Sequence, residues 1–136
     1  MTNKELATYI QEKLLNEGVI IQRYDAYSTD SIYMKLDFGV CNSIRISGHK
    51  GKKYLKYRYN IGQFVRKFAV VKDGYERFYY RADKSDELVK KVISDRNQKI
   101  EQFGETGYKE LMLKNQSQNS GKAGFWKSAR VVVKEL

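Results

Sequence analysis

The chain carries one histidine, His49, and one cysteine, Cys41, and three of its acidic residues, Asp25, Asp30 and Asp37, surround one short stretch. Each is a group with chemical capacity. His49 lies in Gly48-His49-Lys50-Gly51-Lys52-Lys53, where an imidazole would touch a phosphate or pass a proton; the plainer reading is a solvated turn residue. A Cys41–His49 pair supplies two zinc ligands, whereas structural zinc takes four, and no others are evident in the sequence. Cys41 stands at a strand start and reads as packed. Asp25, Asp30 and Asp37 flank one loop and strand, an arrangement in which carboxylates could bind magnesium. A restriction-type nuclease would add an acidic-x-Lys element on a strand, and neither Asp-x-Lys nor Glu-x-Lys occurs in the chain. No Gly-x-x-x-x-Gly-Lys-Ser/Thr phosphate loop occurs either. Gly48 to Gly51 has the spacing of a Gly-x-x-Gly backbone clamp, but that clamp needs helices on both sides, and here strands flank it. The expectation is no catalysis and no cofactor, with a small metal-dependent nuclease as the least favoured alternative.

Charge is the stronger signal. The 136 residues carry a net charge of +10, with a pI near 9.6. Between Asp37 and Asp73 there is no acidic residue, while Arg45, Lys50, Lys52, Lys53, Lys56, Arg58, Arg66, Lys67 and Lys72 contribute +9. A solvated surface mixes signs; a block of one sign on structured segments is the electrostatic footprint of a polyanionic or acidic partner.

Elements must present that charge. Thr2 and Glu5 have capping-box spacing, and Leu6, Ile10 and Leu14 give a helix one apolar face, which ends at Gly18. Val19 to Tyr24 reads as a strand and Asp25 to Asp30 as a loop. Period-two alternation follows in three segments. Ile32, Met34, Leu36 and Phe38 face inward, with Tyr33, Lys35 and Asp37 outward. Ile44 and Ile46 face inward, with Ser43, Arg45 and Ser47 outward. Leu55, Tyr57, Tyr59 and Ile61 face inward, with Tyr54, Lys56, Arg58 and Asn60 outward. Residues 63–71 fit either a helical face or, slightly better, a strand entering an Asp73-Gly74 hairpin turn. Tyr75 to Arg81 reads as a strand. Asp83 or Ser85 caps a longer helix with Leu88, Val89, Val92, Ile93, Ile100 and Phe103 on one stripe, stopped by Gly104; Thr106 to Lys114 adds a short helix. Residues 115–124 are polar and read as a flexible loop, and 125–133 as a closing strand or a segment docked on the sheet. The expected fold is one α+β domain over 1–136, an antiparallel meander packed by the two main helices.

The candidate binding set is the outward face of the three alternating strands, Tyr33, Lys35, Arg45, Tyr54, Lys56 and Arg58, extended by His49, Lys50, Lys52 and Lys53 in the connecting loop. Lysine and arginine neutralise phosphates, and tyrosine stacks on bases with little sequence preference. Of eleven tyrosines, nine lie between Tyr24 and Tyr80. Tyr57 and Tyr59 alternate with the core and are left out. Tyr33 and Tyr54 also suit cross-strand pairing.

Residues 31–39, 43–52 and 56–60, with Arg77-Phe78-Tyr79-Tyr80 and Asp86-Glu87-Leu88, resemble small uncharacterised proteins of Firmicutes phages and prophages. The resemblance covers residues 31–93 and supplies no catalytic residues. It implies a protein that binds host or phage nucleic acid or a nucleoprotein, or an anti-CRISPR-type inhibitor that binds a host defence complex directly. No apolar run reaches the ~18 residues of a membrane span, Met1 to Glu5 lacks the apolar core of a signal peptide, and a lone cysteine makes no internal disulfide, so a cytoplasmic setting is expected.

Overall fold

The first helix begins where its orphan backbone donors find partners. In the computed structural model, which describes residues 1–27, 29–48, 54–60, 75–119 and 130–132, α1 spans Asn3–Asn16. The Thr2 hydroxyl accepts from the Glu5 N–H at 3.1 Å and the Glu5 carboxylate accepts from the Thr2 N–H at 3.0 Å, which closes the capping box. Leu6, Ile10 and Leu14 are buried. Gly18, at φ 86°, turns the chain out of the helix.

Six strands follow among the described residues: β1 (Ile21–Asp25), β2 (Ile32–Leu36), β3 (Asn42–Ile46), β4 (Leu55–Asn60), β5 (Tyr75–Tyr80) and β6 (Arg130–Val132). They form one antiparallel sheet in the order β5-β4-β3-β2-β1-β6. The first five make a meander, as alternation predicts, and β6 pairs with β1 through Ile21↔Val132 and Gln22↔Val131. Of the inward set, Ile32, Met34, Leu36, Ile44, Ile46, Leu55, Tyr57 and Tyr59 are buried. Phe38 is only half-buried and Ser47, expected outward, is buried, because both lie past the strand ends at Leu36 and Ile46 where alternation no longer holds. Helix α2 (Ser85–Asn119) covers this face together with α1. Gly104, at φ 76° and ψ 161°, breaks α2 into two helical segments, which matches the stop expected there. The polar stretch expected as a loop from residue 115 differs: its described part continues the helix to Asn119. No glycine or proline lies between Gly107 and Gly121 to interrupt it. Ile61, residues 63–71, the Asp73-Gly74 turn and residues 120–129 lie outside the described residues, and of the closing segment expected over 125–133 the described part is β6. No helix among the described residues is long and apolar enough to cross a membrane.

Asp37 corrects the alternation. The strand ends at Leu36, and Asp37, Phe38 and Gly39 take φ of 49°, 54° and 94°. This left-handed run turns Asp37 inward instead of outward and leaves it 0% exposed. Its carboxylate accepts from the Ile20 N–H at 2.9 Å, from Arg96 Nε at 2.7 Å and from the Tyr108 hydroxyl. Arg96 also donates to the Glu17 and Gly18 carbonyls at 3.3 Å. Burial works against the Arg96 charge, and Asp37 more than offsets it, so the guanidinium pKa is raised. One buried carboxylate thus ties the β2–β3 connection to the end of α1, the start of β1 and both segments of α2. Cys41 lies beside it, its sulfur 2.9 Å from the Tyr108 hydroxyl. Burial, and then Asp37, pushes the thiol pKa up to about 12, so Cys41 stays protonated and unreactive.

Lys99 is also 0% exposed. Its ammonium donates to the Val40 carbonyl and lies 4.6 Å from the Tyr59 ring centroid. Burial lowers its pKa from 10.5 to about 8. Between those values the unfolded chain holds the proton that the folded chain has released, so stability gains from rising pH. Cys41 acts oppositely from its unfolded value of 9.0 upward, and so do the buried Tyr57, Tyr59 and Tyr108, whose pKa values burial raises from 10.0. A comparison with Lys99→Met isolates the lysine. The wild type should gain on the variant by about 1.4 kcal/mol per pH unit between pH ~8 and ~10.5, and stay parallel to it below. Urea denaturation across this range checks the slope.

Candidate nucleic-acid interface

The sheet's outer face is set by register. Two rows of side chains cross the strands. One runs Tyr24↔Tyr33↔Arg45↔Lys56↔Tyr79, and the other Val131↔Gln22↔Lys35↔Ser43↔Arg58↔Arg77. The two rows bring five cations, Lys35, Arg45, Lys56, Arg58 and Arg77, to one surface, and among the described residues no Asp or Glu occupies an outward strand position. Lys35, Arg45, Lys56 and Arg58 are half-buried and Arg77 is exposed.

Crowding among the cations adds to an effect that burial begins. The Lys56 pKa is lowered by partial burial and then by the charges of Arg77, Arg45 and Arg58. The folded surface therefore holds Lys56 charged against repulsion, and an incoming anion would relieve it. The Arg45 guanidinium carbon lies 5.3 Å from the Tyr33 ring centroid, a cation–π contact that sets its direction. Arg45 Nε is buried without a hydrogen-bond acceptor among the described residues.

Tyrosines stand at both ends of the charged centre. Tyr24 and Tyr33 are 6.4 Å apart between centroids at one end, and Tyr54 and Tyr79 pack edge-to-face at 5.5 Å at the other. Tyr33 and Tyr54 therefore do form cross-strand pairs, and they do so on the charged face. Of the sequence-derived set, Tyr33, Lys35, Arg45, Tyr54, Lys56 and Arg58 come together here. His49, Lys50, Lys52 and Lys53 lie outside the described residues. Arg77, Tyr79 and Tyr24 belong to the same surface and were not in the set. The signal for Arg77 and Tyr79 was present: they alternate with the inward-packed Phe78 and Tyr80. They fall beyond Asp73, where the acid-free block ends.

Two of the three carboxylates weighed for magnesium, Asp25 and Asp37, are committed elsewhere, and Asp30 lies in the β1–β2 connection. Asp25 pairs with Arg23 at 2.8 Å and Asp37 with Arg96. Among the described residues no group of three or more His, Cys, Asp or Glu side chains is placed to hold a metal ion.

No protein-family model, curated protein or solved structure matches the chain.

Proposed function

We propose that the protein is a non-catalytic binding module that engages nucleic acid through the outer face of its sheet. The observation that supports this most is the pair of cross-strand rows, which set five cations on a surface without an outward carboxylate. Such a surface neutralises phosphates and releases their counterions. In the phage-type setting that the resemblance implies, the target is host or phage nucleic acid or a nucleoprotein complex of host defence.

A salt titration tests the reading. With all five cations on phosphates, log K should fall against log salt with a slope of about −3.5 for single strands or −4.5 for duplex. Failure to bind DNA or RNA even at low salt would end this reading. The face would then be assigned to an acidic protein surface, as in direct inhibition of a host defence protein.

A further inference from the structure

We infer that the nucleic acid this face takes is single-stranded, laid across the strands with its bases on the tyrosines; the inference rests on the binding role proposed above. Two observations carry it. The first is width. The cation and tyrosine rows extend from β1 to β5, four inter-strand spacings of ~4.8 Å, or about 19 Å. The major groove of duplex DNA is only ~12 Å wide and admits a helix or a two-stranded ribbon. A face this broad meets a duplex only along its phosphates, and the bases remain stacked on one another.

The second is where the rings lie. Tyr79 is 59% exposed, on the strand at the end of the sheet and directly opposite Lys56. On a purely phosphate-binding surface its hydroxyl could donate to one phosphate, but the exposed ring face beside the cations would gain nothing from a duplex whose bases stay stacked. Unstacked bases give it a partner. Tyr54 lies edge-on to it and restricts its motion, and Arg77 shares its strand and face. Lys56, Arg45, Arg58 and Lys35 then follow the backbone toward Tyr33 and Tyr24. Stacking supplies affinity that is indifferent to base identity, while the cations supply the salt-dependent part.

The test uses three probes in the same buffer: a short oligothymidine, an abasic deoxyribose-phosphate strand of equal length, and a duplex of that length. Oligothymidine should bind about tenfold or more tighter than the abasic strand, although both carry the same phosphates. Tyr79→Ala should weaken oligothymidine by about tenfold and leave the abasic strand unchanged, with the salt slope intact. Tyr79→Phe, which keeps the ring, should bind as the wild type does. Equal binding of all three probes, or a uniform loss on Tyr79→Ala, would overturn single-strand recognition while leaving the phosphate-binding face in place. Absence of binding to every probe would instead overturn the binding role itself.

Discussion

Asp37→Ala is expected to bring the protein to the edge of unfolding. The Asp37 carboxylate is fully buried and meets Ile20, Arg96 and Tyr108. Its loss leaves the Arg96 guanidinium, whose side chain is only 13% exposed, without its counter-charge. Breaking a buried pair from one side typically costs about 3–5 kcal/mol. Alanine also lacks the short polar side chain by which aspartate tolerates a left-handed backbone, here at φ 49°, which adds to the loss. Domains of this kind are stable by roughly 5–15 kcal/mol, so the variant loses much or all of its margin. Urea denaturation measures the loss. Asp37→Asn keeps an amide oxygen for Ile20 and tolerates the left-handed backbone, so it should lose less. If Arg96→Met is added to Asp37→Asn, the orphaned charge disappears and part of the stability returns. Strict additivity of those two substitutions would show that the pair is not coupled.

Lys56→Glu combined with Arg77→Glu should move stability and binding in opposite directions. Lys56 sits among Arg45, Arg58 and Arg77, which lower its pKa once partial burial has been counted. A carboxylate at position 56 replaces that repulsion with attraction to Arg45 and Arg58. The gain for the folded chain is modest, about 0.2–1 kcal/mol for a cross-strand pair. For a polyanion the change is severe: the face falls from five positive charges to three positive and two negative, a net of about one. The single-strand salt slope should shrink from about −3.5 to about −0.7. Affinity at low salt should drop on the order of 100-fold or more. A thermal melt and a salt titration on the same sample read both effects. A variant that binds normally would remove this face from the interface.

Much of the sheet was legible in the sequence because the period of two is strict from Ile32 to Leu36, from Ser43 to Ile46 and again from Leu55 to Tyr59. That alternation assigns Lys35, Arg45, Lys56 and Arg58 to one side before any register is known. The capping box at Thr2 and Glu5 and the break at Gly104 were legible for similar reasons, since each depends on neighbours in sequence. What escaped depends on contacts between distant parts of the chain. Asp37 continues the outward alternation of Tyr33 and Lys35, and only the left-handed run through Gly39 turns it into the core. Asp95 and Lys99 lie on the buried side of α2 with Leu88 and Val92, but an apolar stripe counted on hydrophobic residues alone passes over them. Their burial depends on partners: Asp95 accepts from the Tyr57 hydroxyl at 3.0 Å and pairs with Lys91 at 3.1 Å. Arg77 and Tyr79 were missed for a different reason. The charge block was bounded by Asp73, whereas the surface is bounded by strand pairing, and β5 returns its cation to β4 from beyond that acid.

The alternation that separates the two faces has a consequence for how the chain can vary. Asp37, Arg96 and Tyr108 lie on the helix-covered side, and the rows from Tyr24 to Tyr79 and from Gln22 to Arg77 lie on the other. Substitutions that share no partner and lie more than ~7–10 Å apart combine nearly additively. An outer-row residue that meets both conditions can therefore change without disturbing the contacts that hold the chain folded; Lys35, whose aliphatic stem runs beside Gly39 of the left-handed turn, does not. Position 37 has no such latitude, because its residue must both accept three hydrogen bonds and adopt a left-handed backbone. Drift among descendants of this chain should accordingly run along alternate positions of the same strands, with variation and constraint one residue apart.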